Sequence, residues 1–183
     1  MSSDSVAASS DQLEFPFVVD VPTAPLGRSA PVYTSHVCDN GKLISDVARL
    51  YLRPGMRIAD VTYGRGVFWR DLDLARYDFC PSDIVTRPDR PYDFCRLPYI
   101  DDLFDLVVLD PPYMHDPGKV RVEHSYQNAA TTKGLRHDDI LRLYGKGMSE
   151  AFRVLKDGGQ LWVKCKDEIE SGIQRWSHTE IQL

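Results

Sequence analysis

Apolar residues recur at helical spacing between residues 40 and 52. There Leu43, Ile44, Val47, Ala48, Leu50 and Leu52 predict an amphipathic helix, which Pro54-Gly55 ends. Residues 56–61 predict a short buried strand, followed by the glycine-rich turn Thr62-Tyr63-Gly64-Arg65-Gly66 and a helix over residues 67–75. Residues 77–80 form a second strand candidate that ends near Asp83, and residues 90–97 a weak third. Phe104-Asp-Leu-Val-Val-Leu-Asp110 is the clearest strand, and Pro111-Pro112 stops it abruptly. After a polar stretch at 114–136 that is longer than ordinary connections, residues 137–155 predict a helix. Its apolar side carries Ile140, Leu141, Leu143, Tyr144, Met148, Ala151, Phe152 and Leu155. Lys156-Asp-Gly-Gly159 reads as a helix-stop turn, residues 160–165 as another strand, and a last helix is expected after it. Strands alternating with helices place the chain in the α/β class with a mainly parallel sheet.

Residues 1–34 lack a sustained period and are rich in Ser, Ala, Asp and Pro, so they read as a flexible N-terminal arm before a domain spanning 35–183. Within the arm, residues 13–19 are apolar enough to dock on the domain or on a partner. The chain has 183 residues, enough for one domain with a sizeable core. Its net charge of -5 provides no global basic field for nucleic acid, so DNA binding would need a local basic surface or a partner. Cys38, Cys80, Cys95 and Cys165 show neither a C-x-x-C pair nor zinc-like spacing with histidine, and read as reduced thiols. No metal site is expected. No run approaches the roughly 20 apolar residues that span a bilayer, and no secretory leader is evident. A cytoplasmic location is expected by default.

The glycine turn sits between a strand and a helix, where an open α/β sheet places its ligand. Glycines there let the backbone turn tightly and approach a ligand closely. A dinucleotide fingerprint would have a third glycine where this chain has Trp69, and no Gly-Lys-Ser/Thr follows. A nucleoside-type ligand is favoured over a pyrophosphate. Asp60, at the strand end, can accept from a ligand ammonium directly or through water. Asp83 lies near the offset at which an acidic residue accepts from ribose hydroxyls. Asp93, with its neighbour Phe94, is placed to meet an adenine amine if the third strand forms. Phe68 can border a cationic group, although Phe68, Trp69 and Tyr77 also suit a core.

Asp110-Pro111-Pro112-Tyr113 at the carboxyl end of a buried strand is difficult to explain by folding alone. An exocyclic base amine has two N–H donors, and the Asp110 carboxylate and the Pro111 carbonyl can each take one. Such a grip orients the amine and draws its lone pair out of the ring plane. Tyr113 would stack on a base that has left its helix.

At these residues the chain resembles the class I amino-methyltransferases, the DNA adenine-N6 and cytosine-N4 enzymes with a D/N/S-P-P-Y/F/W signature. Asp60-x-Thr62-x-Gly64-x-Gly66-x-Phe68 is similar to their cofactor loop, and Leu155-Lys-x-Gly158-Gly159 before Trp162-Val-Lys-Cys to the stretch that closes their sheet. The resemblance implies a Rossmann-like three-layer sandwich, S-adenosylmethionine as cofactor, and methyl transfer to a base amine, with adenine N6 in DNA the leading substrate. It assigns Asp110, Pro111, Pro112 and Tyr113 to catalysis, and Asp60, Thr62, Gly64, Gly66, Phe68, Asp83, Asp93 and Phe94 to the cofactor.

Two rival readings are an RNA methyltransferase acting on adenine N6 or guanine N2, and a catalytically silent scaffold of the same fold. The family's usual C-terminal strand pair has no counterpart here: the chain is truncated, the fold is minimal, or a second chain completes the sheet. A homodimer or a partner subunit for target recognition is therefore expected. The loop at 114–136 is the one segment available for recognition. There Lys119, Arg121, Lys133 and Arg136 outnumber Asp116 and Glu123, with His115, His124 and His137 nearby.

Overall fold

The computed structural model describes residue 37, residues 39–112 and residues 135–182. The expected arm at 1–34, Tyr113 and residues 114–134 of the polar loop lie outside the described residues. All described residues belong to the compact unit Val32–Leu183.

Helix α1 (Asn40–Tyr51) starts where the Asp39 side chain accepts from the Lys42 backbone N–H at 3.1 Å, and ends where the Leu52 N–H reaches the Ala48 carbonyl. Its buried apolar face includes Ile44 and Ala48, whereas Leu50 is exposed. Strands β1 (Arg57–Asp60), β2 (Asp78–Pro81), β3 (Phe104–Leu109) and β4 (Leu155–Val163) form one sheet in the order β2-β1-β3-β4, parallel throughout. Helix α2 (His137–Val154) precedes β4.

Successive residues of β1 and β3 point to opposite faces, and this alternation builds two cores. Ile58, Leu106 and Val108 pack with Ile44, Phe68 and Trp69 on the α1 face. Ala59, Val107 and Leu109 pack with Ala151 and Val154 on the α2 face. The result is the expected α/β Rossmann-like arrangement of helix, parallel sheet and helix.

Four local expectations are corrected. Residues 67–75 form two separate 3-10 turns, Val67–Trp69 and Leu74–Arg76, rather than one helix. The break follows from Asp73, whose side chain takes the Ala75 N–H at 3.2 Å and competes with helical pairing. Residues 90–97 contribute only an isolated bridge between Asp93 and Arg96. Pro91 supplies no N–H there, and the Asp93 side chain takes the Cys95 N–H at 2.8 Å. The Lys156–Gly159 turn is absorbed into β4 as a register irregularity, since Phe104 pairs with Leu155 but Leu106 with Gln160. On α2, Phe152 is 81% exposed and does not join the apolar face.

The last helix expected after β4 is replaced by an antiparallel hairpin, β5 (Glu168–Glu170) and β6 (Ile173–Arg175), and a four-residue helix α3 (Ser177–Glu180). Ser171 and Gly172 both adopt positive φ, 51° and 82°, as a two-residue hairpin loop requires. The hairpin forms its own two-stranded sheet, so no described strand extends the main sheet beyond β4. His137 is buried at the start of α2. Its N–H donates to Glu170 at 3.1 Å and its ring pairs with Glu180 at 2.9 Å, fastening these last elements to α2.

Candidate functional site

The register of β1 against β3 pairs Asp60 with Val108, so the glycine turn and the Asp110-Pro-Pro segment leave neighbouring strands at the same carboxyl edge. They are also bonded directly. The Asp110 backbone N–H donates to Thr62 Oγ1 at 2.6 Å, and the Val61 N–H to the Val108 carbonyl at 3.2 Å. Thr62 is thus the strut that joins the two motifs.

Gly64 and Gly66 both have positive φ, 53° and 72°. The positive φ calls for glycine at Gly66, and a Cβ there would in addition have to push the Tyr63 hydroxyl aside. Over Gly64 the space is open: the nearest atom to a built Cβ is the Thr62 carbonyl at 3.9 Å.

The loop after β2 holds this turn from the other side. The Gly64 N–H donates to Asp83 Oδ2 at 2.9 Å, and Thr86 Oγ1 donates to the Gly64 carbonyl at 2.7 Å. Asp83 Oδ1 also takes the Val85 and Thr86 N–H groups at 2.8 and 2.7 Å. Burial alone would raise this carboxyl, but its backbone donors outweigh burial and hold it below the ordinary range. Three of its roughly four acceptor positions are thereby committed to the loop.

Asp60 is 2% exposed, with Oδ1 accepting the Thr62 N–H at 3.0 Å and Oδ2 the Trp69 indole N–H at 2.6 Å. Burial pushes its carboxyl up to about 7 against those two donors, and the charges of Asp110 and Asp83 push the same way. The tryptophan in the third-glycine place is therefore the side-chain partner of Asp60, as well as the core residue its apolar ring suggested.

Asp110 emerges beyond β3 with Oδ2 3.2 Å from Lys164 Nζ. Its Oδ1 is buried and has no hydrogen-bond donor among the described residues. An unpaired buried carboxylate oxygen is costly, and marks a place for a donor from outside the chain. Burial raises the Asp110 carboxyl above its ordinary value, while Lys164 opposes that shift through its charge and its hydrogen bond. Pro111 is fully buried behind it and Pro112 is half-buried.

Phe68 is buried, and the Lys164 ammonium stands 5.4 Å from its ring centroid. A cleft of about 360 Å³ opens beside these groups, lined by Ile44, Phe68, Val108, Trp162, Lys164 and Cys165 among others. A second hollow of about 480 Å³ runs along α2 beside Arg142, Lys146 and Arg153, and none of the expected site residues lines it.

The structure thus brings Asp60, Thr62, Gly64, Gly66, Phe68, Asp83 and Asp110 to one strand edge. It does not bring Asp93 and Phe94 there by any described contact. Asp93 is exposed and closes its own turn, and the Phe94 ring packs on Gly147 of α2, 2.8 Å from where a Cβ would stand. Tyr113 lies outside the described residues.

Lys164 was not among the expected site residues. Its signal in the sequence is a cation inside the otherwise apolar run of residues 161–165. Among the described residues no group of three or more His, Cys, Asp or Glu side chains is placed to hold a metal ion, and no helix is long and apolar enough to cross a membrane. Neither a protein-family model nor a curated protein sequence matches the chain.

Proposed function

We propose that this chain transfers a methyl group from S-adenosylmethionine to an exocyclic amine of a nucleobase, with adenine N6 in DNA as the leading substrate. The observation that carries the reading is Asp110 Oδ1, a buried carboxylate oxygen with no donor among the described residues, at a strand end tied through Thr62 to a glycine turn. A base amine is the kind of group that satisfies such an oxygen, because it donates without bringing a charge.

The residues present fit the cofactor. The turn is open over Gly64, and the cleft beside Phe68 is largely apolar, with a polar lip at Lys164. Gly64, Gly66 and Phe68 would hold it, and it supplies a methyl carried on a sulfonium leaving group. With so reactive a donor, the chain's task is orientation. Asp110 would accept one N–H of the amine and the Pro111 carbonyl the other, which frees the nitrogen lone pair from conjugation with the ring; the methylated amine, now acidic, then gives up one N–H proton.

Thr62 fixes the height of Asp110 above the strand edge, and Asp60 fixes Thr62 and Trp69 beneath the turn. Asp60 and Asp83 support the turn in this reading instead of standing free for ligand hydrogen bonds. The Asp110–Lys164 pair is close to neutral as a unit, so the lysine does not bring an uncompensated positive charge to a cationic donor.

The test is methyl transfer to DNA and RNA oligonucleotides, with nucleoside mass spectrometry to identify the product. Wild-type protein is expected to yield N6-methyladenine. Asp110→Ala is expected to lower transfer at least ~100-fold while S-adenosylmethionine still binds by calorimetry. Undiminished transfer by Asp110→Ala would refute the mechanism, and product in RNA alone would move the substrate. A protein that binds nucleic acid but not S-adenosylmethionine would point to the scaffold reading.

A further inference from the structure

Parallel pairing of β3 with β4 matches Leu109 with Val163, and the Lys164 N–H continues that ladder by donating to the Leu109 carbonyl at 3.0 Å. The next residue of each strand therefore emerges beside the other, Asp110 from β3 and Lys164 from β4. The Lys164 carbonyl is gripped as well, accepting the hydroxyl of fully buried Tyr144 at 2.9 Å. With both ends of its peptide held, the lysine presents Nζ 3.2 Å from Asp110 Oδ2 and 5.4 Å from the Phe68 ring centroid. This contact occupies one carboxylate oxygen and leaves the other without a donor among the described residues.

Resting on the amine-methylation reading, we propose that Lys164 is a positioning residue that keeps Asp110 an acceptor-only carboxylate, and so restricts the site to bases presenting NH2 rather than a carbonyl. A carboxylate accepts but does not donate, whereas a carboxylic acid offers an O–H that a ring carbonyl would welcome. Which form Asp110 takes depends on what faces it. Burial opposes the anion, and Lys164 on β4 favours it through its charge and its hydrogen bond; Asp60 at the end of β1, raised to about 7, is a neutral acid below that pH. Thr62 bonds only the Asp110 backbone and is neutral. Removing the ammonium leaves burial unopposed, and the site then becomes able to donate.

The closing experiment follows the Asp110 carboxyl carbon by NMR in protein labelled at aspartate, with the resonance assigned through Asp110→Asn. The midpoint of its titration is expected to rise by one unit or more in Lys164→Met, a tenfold change in proton affinity. Lys164→Arg should stay near wild type. The acid limb of kcat/KM on an adenine oligonucleotide should move by the same amount. An oligonucleotide with hypoxanthine at the target position should gain at least ~tenfold as a competitor against Lys164→Met, below the new midpoint.

An unchanged Asp110 midpoint in folded Lys164→Met would overturn the proposal; if that variant does not fold, Lys164→Gln takes its place under the same criterion. Should wild type methylate no base amine, the function above fails, while the carboxyl titration still decides the role of Lys164.

Discussion

Asp60 makes a stability prediction of unusual sign. A carboxyl raised in the folded state to about 7 retains, between roughly pH 4 and pH 7, a proton that the unfolded chain has already released. The native state then binds more protons than the unfolded one, so this group's contribution falls as pH rises through that window. A shift of about three units at 1.36 kcal/mol each sets a ceiling of about 4 kcal/mol on the loss.

Asp60→Asn removes the titration. An amide presents a single acceptor oxygen to two donors, the Thr62 N–H and the Trp69 indole N–H, so the variant forfeits one bond at a cost of about 1–3 kcal/mol. The variant should therefore be clearly weaker than wild type at pH 5, with the gap closing or reversing by pH 8. Urea unfolding followed by tryptophan fluorescence at several pH values measures this difference directly, and carboxyls elsewhere cancel in the comparison. A gap that stays constant, or that widens as pH rises, would refute the assignment of a buried, raised carboxyl to Asp60.

Two further changes probe the turn. Thr62→Val removes the acceptor of the Asp110 N–H, and is expected to cost about 1–3 kcal/mol in chemical denaturation; it should also depress methyl transfer more than S-adenosylmethionine affinity, because the catalytic segment loses its strut. Gly66→Ala places a Cβ at φ 72° against the Tyr63 hydroxyl, and should cost about 1–2 kcal/mol from backbone strain alone. Cofactor affinity measured by calorimetry should fall with it; an unaltered affinity would separate the turn from the ligand.

The three aspartates at the strand edge were alike as letters, and packing made them different. Asp83 is held low by backbone donors, Asp60 is driven up by burial despite two donors, and Asp110 is raised by burial with one oxygen open and one on a lysine. Among the described residues only the last has an oxygen without a donor, which is why the proposed chemistry centres on it.

The alternation of apolar runs by itself indicated the α/β class, α1, α2 and the places of the four sheet strands, because burying one helix face and both sheet faces demands those periods; the further strand candidate, at 90–97, did not join the sheet. The glycine spacing and the double proline marked the two turns, since glycine adopts positive φ without strain and proline has no N–H. Residues 67–75 and the segment after β4 were misread because short 3-10 turns and a two-residue hairpin depend on particular side-chain bonds, such as Asp73 to Ala75, more than on any period. Strand register is a long-range choice: it set Thr62 under Asp110 and Lys164 beside it, residues separated by 48 and 54 positions. Which Asp110 oxygen lacks a donor among the described residues follows from that register, and local sequence carries no trace of it.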